Sequence, residues 1–413
     1  MSLDQLFATR MGRMKASEIR ELLKLLDQPD VISFAGGIPD PALFPAAAFR
    51  DAMVRALGDV QAGVSLQYST SEGYPPLRRW IADHMRGLGV ECGEDNILIT
   101  SGSQQALDYL GKLFLSPGDT ALVGWPTYLG ALGAFNAYEP VYDRLDPKSN
   151  RAPSDFRAQA ETRGGRVKFA YLSPDFANPT GVTLTREERE SVLRLADDLD
   201  CAVIEDAAYQ SLRYDGEPVA PILALELQRR GDIDACRTVY CGSFSKTLSP
   251  GLRIGWVCAA KTLINRMVLL KQAGDLHTPT LNQIVVADVV ADGFEDHVET
   301  LRAHYRVKRD RMLAALERHM PAGVEWTRPE GGMFVWMTLP EGLDGAALLA
   351  EALRSERVAF VPGAAFHADG SGRNTLRLNF SSPGPDEIEE GITRLGQVLR
   401  ASMAVARAGA QQS

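Results

Sequence analysis

The chain has 413 residues, 45% of them hydrophobic and 23% charged, a balance that excludes intrinsic disorder, a collagen-like repeat and a disulfide-stapled miniprotein. Lys and Arg total 44 against 53 Asp and Glu, for a formal charge of −9; such a chain has no global attraction for nucleic acid or an anionic membrane, and an anion must be held by a local site. Cys92, Cys201, Cys236, Cys241 and Cys258 are odd in number and form no C-x-x-C pair. No apolar run reaches the roughly 18 residues of a membrane span, and no basic-then-apolar leader follows Met1. A reduced cytoplasmic protein without a metal site is expected.

The segment 18–26 is amphipathic, with Ile19, Leu22, Leu23 and Leu26 on one helical face. A strand at Ile97–Thr100 runs into an amphipathic helix. Apolar runs at 121–125, Val167–Leu172, 202–204, 239–241 and 254–259 suit strands buried on both faces of a mainly parallel sheet. Thr185 and Glu188 form a capping box that opens a helix to about Leu199. Beyond these, the pattern predicts a helix over 298–318, a strand over 333–339 and a helix over 345–354. Strands over 358–361 and Thr375–Asn379 and a helix over 386–399 follow, and the tail after Leu399 is expected to fray. The α/β order predicts a large domain over 45–295 and a small one over 296–413, which the segment 1–44 joins.

The string Ser243-Phe-Ser-Lys246-Thr-Leu-Ser-Pro-Gly-Leu-Arg253-Ile-Gly-Trp carries the most chemistry. A neutral ε-amine forms a Schiff base with an aldehyde. Two serines and an arginine can hold a phosphate dianion. The competing reading, a surface turn with a solvated lysine, suits the tetrapeptide alone better than the whole string. Ser243-x-Ser-Lys246 followed by Gly-Leu-Arg253-Ile-Gly resembles the cofactor-lysine signature of the class I/II aminotransferases, fold type I pyridoxal-phosphate enzymes, and the resemblance extends over about 32–380. It implies pyridoxal 5'-phosphate as cofactor, joined to Lys246.

Other residues fall into this frame. Asp206 ends the run Cys201-Ala-Val-Ile-Glu-Asp206, where ligands of parallel sheets bind; it suits a partner for a protonated pyridine nitrogen, or else a helix N-cap. By resemblance, Tyr209 and Asn178 of Asn178-Pro-Thr-Gly181 bond the ring phenolate oxygen; Asn178-Pro also reads as a plain turn. Thr100-Ser-Gly-Ser103-Gln104 precedes a helix whose first N–H groups can hold an anion. The resemblance adds Ser103 and Gln104 to Ser243, Ser245 and Arg253 as phosphate ligands, and implies that Tyr128 stacks on the cofactor ring. It also implies that Tyr68, in Gln67-Tyr68-Ser-Thr-Ser-Glu-Gly73, reaches the neighbouring subunit's site in a homodimer. Arg377 alternates with Leu376 and Leu378 on a strand; facing inward it needs an anionic partner, which the resemblance supplies as the substrate α-carboxylate. The alternative is an edge-strand surface arginine. Gly36 and Gly37 resemble a glycine-rich substrate segment.

That segment, with Ser17-Glu-Ile-Arg20-Glu-Leu22, is most similar to the 2-aminoadipate and kynurenine aminotransferase subgroup. There an arginine at the position of Arg20 contacts the distal carboxylate of acidic substrates; a solvated helix-face arginine is the plain alternative. The implied function is transamination between an L-amino acid (glutamate, 2-aminoadipate, leucine or an aromatic one) and a 2-oxo acid. Two alternatives share part of the frame: a β-lyase or decarboxylase of the same fold, and the effector domain of an aminotransferase-like transcription regulator. The regulator is disfavoured by the acidic chain and by the short stretch before Gly36.

Overall fold

The computed structural model describes residues 3–14, 30–58 and 61–410. The amphipathic segment 18–26 and Arg20 lie outside the described residues. In chain order the strands are β1 Ile32–Ser33, β2 Ile97–Thr100, β3 Thr120–Val123, β4 Val141–Arg144, β5 Val167–Leu172, β6 Ala202–Asp206 and β7 Thr238–Ser243. They continue with β8 Gly255–Cys258, β9 Glu325–Trp326, β10 Phe334–Thr338, β11 Val358–Ala359, β12 Val361–Pro362 and β13 Thr375–Asn379.

Seven strands make the central sheet in the order β2-β8-β7-β6-β5-β3-β4. β8 is antiparallel to both its neighbours, and the other pairs are parallel. Successive side chains enter opposite cores: Ile97, Ile99, Tyr240, Trp256 and Cys258 pack on one face, Leu98, Val239, Cys241 and Val257 on the other. Burial on both faces is why these runs are nearly continuous in apolar character. The capping box forms as expected, with Thr185 Oγ1 accepting from the Glu188 N–H and the helix Arg186–Leu199 behind it.

β4, not expected from the sequence, is one of the two edge strands. Its residues Tyr142, Asp143 and Arg144 carry polar groups and it ends on an exposed arginine, so the apolar signal is too weak to mark it. The run 358–361 divides at Phe360: β11 pairs in parallel with β1, and β12 joins the four-stranded sheet β12-β13-β10-β9. β13 lies inside that sheet with all five residues buried, so Arg377 is not an edge-strand residue. The last helix, Pro385–Ala410, does not fray at Leu399; the alanines of this tail are strong helix formers and carry it on. The helix Phe294–His319 packs against it and shares one core with β10–β13 and Phe34. Among the described residues no helix is long and apolar enough to cross a membrane.

Candidate active site

A cavity of about 260 Å³ opens at the C-terminal ends of the parallel strands, between the two larger sheets. Asp206 is the last residue of β6 and Ser243 the last of β7, so the strand ends deliver both to the same place. Asp206 is buried; its Oδ2 accepts from the Tyr171 hydroxyl at 2.7 Å, and its Oδ1 has no partner. Burial pushes its pKa up, against the Tyr171 bond. An unpaired buried carboxylate oxygen is costly unless a ligand donor meets it.

Lys246 is reachable from the cavity and otherwise surrounded by protein. Its Nζ donates to the Gly37 carbonyl at 2.8 Å and sits 5.7 Å from the centre of the Tyr209 ring. Burial, helped by the positive charges of Arg377 and Arg253, lowers its pKa to about 8. Tyr209 stays a phenol because burial raises its pKa well above the ordinary value. Tyr128, which ends the turn before the helix Leu129–Asn136, also lines the cavity, and burial holds its pKa up to about 12.

At the other end stands an anion cradle. Gly102 at φ +79° precedes the helix Ser103–Phe114, and no side chain caps that helix start, which leaves its first N–H groups available. A Cβ on Gly102 would lie 2.1 Å from Arg253 Nη2, so glycine is what lets the guanidinium reach the helix start. Arg253 itself takes the left-handed conformation, and its Nη1 and Nη2 donate to the carbonyls of Pro250 and Ser101 at 3.1 and 3.3 Å. Ser243 Oγ accepts from the Ser245 N–H at 3.1 Å, and Ser103, Gln104, Ser243 and Ser245 all line the cavity.

Arg377 reaches in from β13. Its Nη1 donates to Asn178 Oδ1 at 2.8 Å, its Nη2 to the carbonyls of Ala35 and Gly36 at 2.9 and 2.5 Å, and its Nε has no partner. The guanidinium lies 4.3 Å from the Phe334 ring centre, and burial lowers its pKa to about 10. Among the described residues no carboxylate pairs with this buried guanidinium, and such a group is a receptor for one.

The structure thus gathers Lys246, Asp206, Tyr209, Ser103, Gln104, Tyr128, Asn178, Ser243, Ser245, Arg253, Arg377 and Gly37 around one cavity. It does not bring Tyr68 there: that side chain is 79% exposed and meets His277 edge-on. Sequence reasoning missed Ser173 and Phe334, which line the cavity, and Tyr171, which holds Asp206. Tyr171 was findable in principle, since it nears the C-terminal end of a run already read as a parallel strand; Phe334 gave no sign beyond its strand.

The family model described as aminotransferase class I and II matches residues 29–395. The chain belongs to this family. It is 43% identical over 405 residues to a 2-aminoadipate transaminase of Thermus thermophilus, covering 98% of this chain and 99% of that one. It is 42% identical over 409 residues to an aromatic-amino-acid aminotransferase of Thermococcus litoralis, covering 98% and 96%. The crystal structure of the α-aminoadipate aminotransferase LysN from Thermus thermophilus, complexed with N-(5'-phosphopyridoxyl)-L-leucine, superposes with a TM-score of 0.88 at 40% identity, covering 98% of this chain and all of that one. As a class I/II aminotransferase this chain is a pyridoxal-phosphate enzyme of fold type I. Its cavity fits the coenzyme: the free Asp206 Oδ1 offers an acceptor to a pyridinium N–H, and the uncapped helix start beside Arg253 suits a phosphate dianion.

Proposed function

We propose that this aminotransferase moves the amino group of 2-aminoadipate or glutamate to a 2-oxo acid, and that leucine and aromatic amino acids also serve it. The observation that carries the reading is one cavity holding a lysine of lowered pKa and, among the described residues, an unpaired buried carboxylate oxygen and a guanidinium without a carboxylate. In this reading Ser103, Gln104, Ser243, Ser245 and Arg253 hold the phosphate, Tyr128 covers the ring, and Asn178 and Tyr209 bond its phenolate oxygen. When bound, the coenzyme supplies an electron-withdrawing ring that stabilises negative charge at the substrate Cα. Asp206 keeps that ring charged. Arg377 grips the α-carboxylate bidentately with Gly37 and Asn178 beside it. Lys246, neutral once it gives up its proton, would carry a proton between the substrate Cα and the coenzyme's C4′.

The preference for acidic substrates is supported by similarity to the 2-aminoadipate transaminase and by Ser17-Glu-Ile-Arg20-Glu-Leu22. Half-reactions followed by the coenzyme's absorbance test it: 2-aminoadipate and glutamate should convert it to the amine form, and failure of both would remove this assignment. Arg20→Ala should lower kcat/KM for 2-aminoadipate by roughly one to two powers of ten and leave leucine nearly unchanged, the worth of a charge-assisted hydrogen bond. We also propose a cytoplasmic homodimer in which Tyr68 completes the neighbour's phosphate site. Its chain would divide into a joining segment 1–44, a coenzyme-binding domain 45–295 and a small domain 296–413.

A further inference from the structure

Tyr171 is fully buried on β5, and its hydroxyl is used on one thing, the Oδ2 of Asp206 at 2.7 Å. Two observations show how that hydroxyl is aimed. Tyr171 faces Ile204 across the β5–β6 pair, so Asp206, two residues on, shares its side of the sheet. Phe135 packs edge-on against its ring at 5.5 Å, which fixes the ring plane. The other carboxylate oxygen, Oδ1, is left without a donor.

A carboxylate and a pyridine nitrogen that share one proton have two arrangements, a charged pair and a neutral pair. Burial away from water favours the neutral pair, whereas every hydrogen bond donated to the carboxylate favours the charged one. Only the charged pair leaves the ring strongly electron-withdrawing. We propose that Tyr171 is a positioning residue: its hydroxyl, aimed by the strand register and the Phe135 contact, keeps Asp206 ionised and leaves Oδ1 free for the coenzyme's ring nitrogen. This rests on the reading of Asp206 as the ring-nitrogen partner.

Tyr171→Phe keeps the ring and its Phe135 contact and removes only the hydroxyl. In holoenzyme reconstituted with pyridoxal phosphate labelled with 15N in the ring, the nitrogen resonance should move toward its unprotonated position. In the same variant kcat should fall about tenfold, in line with one hydrogen bond to a charged group, with KM changing much less. In an Asp206→Asn background the same change should do nothing further. 3-Fluorotyrosine placed at position 171, a stronger donor of nearly the same shape, should move the resonance the other way, and it serves as the deciding variant if Tyr171→Phe does not fold. A parental resonance in Tyr171→Phe, even with reduced kcat, overturns the positioning role. A parental resonance and rate in Asp206→Asn would instead remove the reading of Asp206 on which it rests.

Discussion

Lys246 carries an amine whose pKa is lowered to about 8, chiefly by burial. Below that value the folded protein holds a buried cation, and between about 8 and the ordinary 10.5 the unfolded chain binds the proton that the folded one has lost. The penalty is therefore present in full below pH 8 and lifts as pH rises through this window, so the protein without coenzyme should gain stability there. Lys246→Met should abolish that gain in denaturation curves taken from pH 7 to pH 10. Capture of pyridoxal phosphate needs the neutral amine, so its rate should rise about tenfold per pH unit and level off above pH 8. A capture rate that keeps climbing to pH 10 would show an unperturbed lysine. Asp206→Asn removes a buried charge with little change of shape, so the fold should survive. Single-turnover amine formation should slow by about two to three powers of ten, the loss of one charge-assisted contact at the reacting ring. A variant matching its parent in single turnover would assign that work to another group.

The elements hold these residues by backbone geometry as much as by side chains. Gly102→Ala would drive a Cβ into Arg253 at a positive φ, so coenzyme affinity should fall, by equilibrium dialysis, by at least tenfold as the guanidinium is displaced. Thr185→Ala loses the capping box far from the cavity; it should cost about 1 kcal/mol in urea unfolding and leave turnover unchanged. The contrast explains what could be read from the sequence. Strands buried on both faces, such as Val167–Leu172, announce themselves by composition, and helix starts such as Thr185 by a local motif. The edge strand at Tyr142 does not, because one flank faces water, and the tail past Leu399 misleads, because alanine reads equally as helix or as bland coil. At the site, Lys246 and Arg253 lie in one string and are legible together. Tyr171 and Phe334 act through contacts with residues 35 and 43 positions away, Asp206 and Arg377, and no local pattern encodes such a distance.

At the scale of the molecule, Tyr68 is the residue out of place: it is 79% exposed, whereas Tyr209 is buried and Tyr128 half-buried. A shared site makes a quantitative expectation. Lys246→Ala and Tyr68→Ala chains, each inactive or weak alone, should complement when refolded together. Half of the dimers would be mixed and each mixed dimer would hold one intact site, for about a quarter of the parental activity. No recovery above the two separate variants would show that Tyr68 serves its own chain or none.

The guanidinium of Arg377 joins two pieces of the chain that lie 341 residues apart, β13 and the carbonyl of Gly36. In this it works as a clasp whose jaws are also the substrate's grip. A carboxylate that settles on it must share or replace the bonds to Ala35 and Gly36, so arrival of substrate and loosening of the segment after β1 become one event. Small carboxylates with no amino group would then act as keys without a reaction to run. Millimolar succinate should raise the rate of limited proteolysis around residues 30–40 in the parent and leave an Arg377→Ala variant, whose clasp is already open, as fast without it as with it.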